Sequence, residues 1–263
     1  MATLLITFRE SLEAALIVGI LLAFLKKNDL SNLKKHVWSG VVFGILLSLV
    51  AGFIFVFAGN ALEETAEKLF EGLVALIGAF LISTLILWLN KNKSIKAHLE
   101  GKLNEAKISQ NFGLVLFFIT LTNILREGFE TVIFLYSIPG ENSLSFFTGI
   151  LGIVIAIVLS YLLFKGFLKL NLSVLFKITN FLLILFAGGL VAYGIHELQE
   201  AHVIPIIIEH VYDINWLINE KGPFGSILKG LFGYNGNPSL IEIIAYWAYI
   251  FPSMYFLFSK KDK

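Results

Sequence analysis

Apolar residues in this chain neither alternate nor fall into a 3.6-residue stripe. They come in long blocks separated by short charged connections. A helix needs about 18 or more mainly apolar residues to cross the hydrocarbon core of a bilayer. Seven blocks read this way: residues 3–25, 37–59, 70–89, 112–138, 144–164, 178–200 and 240–258. The expected fold is therefore an all-α integral membrane protein, a single membrane domain over 1–263 with seven transmembrane helices. No connection is long enough to fold alone. The longest, 201–239, carries Trp216, Phe224, Phe232 and Tyr234 among Gly and Pro, and reads as a segment lying along the membrane surface.

The connections alternate in charge. Lys26, Lys27, Lys34 and Lys35 follow the first block, and "GNALEETAEKLFEG" follows the second. "NKNKSIKAHLEGKLNEAK" follows the third, "PGENS" the fourth, and Lys165, Lys169 and Lys177 the fifth. Lysine-rich loops stay on the cytoplasmic side. The N-terminus is then outside and the C-terminus inside, which requires an odd number of spans and agrees with seven. The chain is expected in the cell membrane as a multi-pass protein.

Composition supports this reading. Hydrophobic residues make up 57% of the chain and charged residues 15%, against about 25% charged in ordinary soluble domains. Mean hydropathy is +0.82. The absence of cysteine excludes disulfides and thiolate metal sites. A net charge of +1 gives no sign of a nucleic-acid partner. No Gly-rich phosphate loop is present to bind ATP.

The chemistry lies in a repeat. Arg9 and Arg126 are the only arginines in the chain, and each opens an Arg-Glu-x-x-Glu motif inside an apolar block. Spans 1–3 and 4–6 form two units, and because three is odd they have opposite orientation, the inverted repeat of secondary transporters. Glu10 lies about 10 Å and Glu130 about 12 Å below the outer surface, at 1.5 Å per residue. Glutamates three apart share a helix face, so Glu10, Glu13, Glu127 and Glu130 are expected to converge. An ionised residue deep in a span costs about 2.5–3.5 kcal/mol. Arg9 reaches Glu13, and Arg126 reaches Glu130, at i to i+4. One carboxylate per motif is left over, and it must hold a proton or a cation. Carboxylate oxygens suit hard cations. Helix-pinning salt bridges, a proton relay and a carboxylate-metal membrane enzyme are the competing readings.

At these residues the sequence resembles the oxidase-dependent iron permease family, whose mark is Arg-Glu-x-x-Glu in the first and fourth of seven spans. "GIHELQEAHVIP" and "GLFGYNGNPSLIE" also resemble its bacterial members. The resemblance implies iron uptake into the cytoplasm with Glu10, Glu13, Glu127 and Glu130 as iron ligands. It further implies that iron, as ferric ion, is delivered by a partner ferroxidase or a periplasmic or extracellular iron-binding protein. Iron would be cargo, with no permanently bound cofactor, and the protein would not be an enzyme. Members linked to other metals such as lead leave another cation, lead or manganese, as the alternative cargo.

Secondary candidates cluster outside. His196, Glu197, Glu200 and His202 in "HELQEAH" form a candidate outer access site. The sequence departs from the His-Glu-x-x-His of zinc proteases because position 200 is Glu. Glu63, Glu64, Glu67 and Glu71 form a candidate acidic mouth, with Glu209, His210 and Asp213 as weaker companions. Glu242 reads as a helix-start acid. Gly188, Gly189 and Gly194 read as close-packing positions, and His36 and His98 as solvated loop residues.

Overall fold

A computed structural model describes residues 2–91, 101, 103–107, 111–138, 143–165, 172–220 and 222–258. Eight α-helices are assigned: α1 Ala2–Lys27, α2 Lys34–Asn60, α3 Glu64–Lys91, α4 Phe112–Tyr136, α5 Ser143–Phe164, α6 Leu172–Glu200, α7 Pro223–Phe232 and α8 Leu240–Phe258. The described residues contain no strand. By length and composition, four helical segments are long and apolar enough to cross a membrane: Ser31–Asn60, which adds a 3-10 turn at Ser31–Leu33 to α2, Phe112–Tyr136, Phe146–Phe164 and Lys177–Glu200. A long helix runs through each of the other expected spans as well, extending past the apolar block where local chemistry allows. α3 begins on Glu64 and Glu67, acids at a positive helix end, and α1 runs on to Lys26 and Lys27 at a negative one.

Among the described residues of the long connection, α7 is the regular structure. Pro223 opens it with its φ already suited to the first turn. Gly233, at φ 65°, ends it in the left-handed conformation, its amide bonding back to Lys229.

Small residues set the helix contacts and reveal helix direction. Gly40 lies against Phe117 and Thr120, Gly44 against Ile124, Ser48 against Gly128, and Gly52 against Val132. The numbers rise together, so α2 and α4 run parallel. Gly149 and Gly152 lie against Thr3 and Thr7, and Gly19 against Phe164, so α1 and α5 are also parallel. Gly72 meets Gly194 and Gly78 meets Leu190, so α3 and α6 are antiparallel. Leu21 and Leu25 of α1 share a core with Phe112 and Leu116 of α4, so those two are antiparallel. Gly188 packs on Tyr246 and Ile250 of α8, while His196 meets Glu242. The seven long helices therefore alternate in direction. The glycines read as packing positions in α6 act as such, letting backbones approach closely.

The most extensive contacts are α1 with α5, α2 with α4 and α3 with α6. Exchanging α1–α3 for α4–α6 leaves this pattern unchanged. The contact of α6 with α8 has no mate. α2 and α5 sit on the outside, exposing Phe53, Phe57, Phe146, Phe147 and other large apolar side chains. A water-soluble chain avoids apolar faces of that extent, whereas a bilayer solvates them.

Candidate metal centre

The antiparallel crossing of α1 and α4 brings the two Arg-Glu-x-x-Glu motifs together. Arg9 is 0% exposed and Glu10 1%. The Arg9 guanidinium contacts Glu10 through Nη1 and lies 2.6 Å from Glu13 Oε1 through Nη2. On α4, Arg126 Nε lies 3.0 Å from Glu130 Oε1 and 3.7 Å from Glu127 Oε1. Both expected i to i+4 pairs are present. Each arginine also reaches the glutamate next to it, so no motif carries a carboxylate wholly away from its arginine.

Across the crossing, Glu10, Glu127 and Glu130 each offer one carboxylate oxygen, and these oxygens lie within 4.8 Å of one another. Oε2 of each of the three is buried without a hydrogen-bond partner among the described residues. Glu13 stands outside this trio, held by Arg9. Three buried carboxylates this close together repel strongly. Such a group is balanced by protons or by a cation. Its donor set, all carboxylate oxygen, fits a hard cation.

The outer candidates do not converge on one point. His196 Nε2 lies 3.4 Å from Glu200 Oε1, and its Nδ1 3.1 Å from Glu242 Oε1. Lys68 of α3 donates to Glu200 at 2.6 Å, a bond that holds the Lys68 ammonium above the usual lysine value. Glu197 sits on the other side of α6, beside Tyr193, whose hydroxyl donates to Glu71 at 2.6 Å. His202 is exposed past the helix end with φ 59°. The expected group of four is thus divided into an ion-pair network at His196 and Glu200, a hydrogen-bonded group at Glu197 and a turn residue at His202. Glu242 is the helix-start acid its position suggested. It also accepts from the Ser239 amide at 3.4 Å, while Ser239 Oγ accepts from the Glu242 amide at 3.3 Å, a capping box.

Glu63 and Glu64 are exposed and Glu67 is half-buried at the start of α3, on the end of the bundle that carries Glu200. Glu209 is exposed, the His210 ring bonds the Asn237 carbonyl at 3.0 Å, and Asp213 accepts from the Asn215 amide at 2.9 Å. His36 is a correction. It packs against Gly113 with Nδ1 buried, because α2 and α4 cross closely there. His98 lies outside the described residues. Lys68 and Tyr193 were not legible as site neighbours. Each acquires its role only through the antiparallel packing of α3 on α6.

Apolar exposed helices surrounding a buried carboxylate cluster define a helical membrane protein. The family model of the Iron permease FTR1 family matches residues 1–260. The chain belongs to that family and is a multi-pass membrane protein. It is 31% identical to the protein named ferrous iron permease EfeU of Yersinia pestis, over 97% of this chain and 92% of the relative. It is 30% identical to the protein of the same name from Escherichia coli O6:K15:H31, over 95% of this chain and 92% of the relative. No solved structure matches the chain.

Proposed function

We propose that this chain carries iron into the cytoplasm through a site made by Glu10, Glu127 and Glu130, with Glu13 and the two arginines completing its charge. The observation that carries this reading is the trio itself. Three carboxylate oxygens from two motif copies meet within 4.8 Å inside an otherwise apolar bundle. The four glutamates and two arginines sum to a charge of about −2 when all are ionised, which a divalent ion neutralises. The relatives' name, ferrous iron permease, favours the ferrous ion as cargo. Ferric iron supplied by a partner ferroxidase or iron-binding protein is the second form.

Seven spans in an inverted repeat, with the N-terminus outside, are part of the proposal. Alternating helix directions support it, as does a packing pattern unchanged by exchanging the halves. The same directions put Lys26, Lys27, Lys34, Lys35, Lys165 and Lys177 at one end of the bundle, as the cytoplasmic face requires. Glu63, Glu64 and Glu67 lie at the other. The membrane potential then supplies about 2.3 kcal/mol per charge per 100 mV to an entering cation.

Uptake of radio-iron into proteoliposomes holding the purified chain tests the proposal, with ferrous and ferric iron offered separately and manganese and lead as competitors. Ferrous uptake that collapses with Glu10→Gln or Glu130→Gln is the expected result. Unchanged uptake in both variants rejects the site.

A further inference from the structure

The two arginines of the repeated motif are not equivalent in the folded chain. Arg9 is sealed, whereas Arg126 is 44% exposed. Packing explains the difference. The crevice between α1 and α6, on the Arg9 side, is filled by the chain's own C-terminal part. Gly233 lies against Gly189, Tyr246 donates to the Phe232 carbonyl, and Ile250 shares a core with Ile6. Exchanging the halves turns this crevice into one between α3 and α4. There Leu81, Thr122, Leu125, Phe129 and Ile133 line a cavity of about 390 Å³, and its charged groups are Arg126 and Glu130. α7 and α8 have no mates in the other half, so nothing equivalent covers it among the described residues.

We propose that Arg126 is the movable counter-charge of the cation site. In the cation-free form it neutralises Glu127 and Glu130. When a cation takes those carboxylates, the guanidinium swings into the α3/α4 cavity. Arg9, fully enclosed among the described residues, stays as the fixed half. This rests on the reading that Glu10, Glu127 and Glu130 hold the transported ion.

The chemistry favours such a step because the guanidinium on Glu130 Oε1 and a cation on the same carboxylate repel each other at contact range. The step also answers a transport problem. A carboxylate cage that binds a divalent ion tightly releases it slowly, and conduction needs a site that is weak enough to leave. An arginine waiting in the adjoining cavity returns to Glu130 and helps displace the ion.

The chain has no cysteine, so a single thiol reports without background. Thr122 lines the cavity one helical turn from Arg126. The experiment labels Thr122→Cys protein in proteoliposomes with an anionic and a cationic methanethiosulfonate reagent, with and without ferrous iron under anoxic conditions. Arrival of the guanidinium speeds the anionic reagent and slows the cationic one. The expected result is a several-fold rise in the anionic-to-cationic rate ratio on adding iron, absent when Arg126→Gln is added. If iron binds, is lost with Glu130→Gln, and leaves the ratio unchanged, the moving arginine is rejected and the site stands. If iron fails to bind, or binds equally with Glu10→Gln and Glu130→Gln, site and arginine fall together. A thiol that reacts with neither reagent marks a cavity closed to water, which also rejects the proposal.

Discussion

The same five-residue motif occurs twice, and its two copies live in different surroundings. On α1, Arg9 is enclosed and clasped by Glu10 and Glu13. On α4, Arg126 sits at the wall of a cavity, holding Glu130 and, at longer range, Glu127. The acids divide just as unevenly. Both glutamates of the α4 copy enter the trio, but only Glu10 of the α1 copy does. The same motif thus sits in an enclosed half and a more open half, and among the described residues the C-terminal helices cover only the first. An inverted repeat makes the halves alike, and a single unrepeated segment is enough to make them unlike.

The largest effects come from breaking the acids unequally. Glu130→Gln is expected to reduce iron uptake more than about a hundredfold. Glu13→Gln, which acts through Arg9, belongs in the range of about 10- to 100-fold typical of groups that orient a ligand. Equal losses in the uptake assay would return Glu13 to the inner group. The arginines separate by stability. Arg9→Ala leaves buried carboxylates without their partner, at about 3–5 kcal/mol, so little folded protein is expected in detergent. Arg126→Ala retains the fold, because its side chain is partly exposed, and changes transport instead. Thermal unfolding of both variants by fluorescence checks this.

A smaller effect tests the cavity. Leu125→Trp fills the space beside Arg126 and is expected to slow uptake about tenfold, or ~1.4 kcal/mol of barrier. Unchanged uptake would show that the space is not used. The smallest effect lies away from the motifs. Ser239→Ala removes one half of the capping box at the start of α8 and is expected to cost about 1 kcal/mol, seen as a lower melting temperature with iron affinity unaltered.

Much of this was legible in the sequence because lipid demands long apolar blocks, and each block became a long helix. The meeting of the motifs was legible too. Depth and i, i+3 spacing fix which residues of α1 and α4 face each other. Spacing also foretold that Arg9 takes Glu13; what it cannot fix is which carboxylate oxygens come nearest one another across the crossing, and the packed helices bring Glu10 rather than Glu13 into the trio with Glu127 and Glu130. The outer access group failed for a related reason. His196 and Glu200 are one turn apart and share a face, but Glu197 is turned toward α3, beside Tyr193 of its own helix, whose hydroxyl donates to Glu71 of α3. The partners of the first pair, Lys68 and Glu242, come from α3 and α8 and appear only once the helices are packed. His36 looked like a loop residue because the start of α2 lies among lysines, yet the close approach of Gly113 covers it.

The central claim is that the paired motifs bind iron between α1 and α4. Anomalous scattering at the iron edge from crystals of the reduced, iron-soaked protein tests it most directly. The account predicts one strong peak among the carboxylate oxygens of Glu10, Glu127 and Glu130, lost with Glu130→Gln. A peak at His196, Glu200 and Glu242 instead, or none between the two motifs, would contradict it.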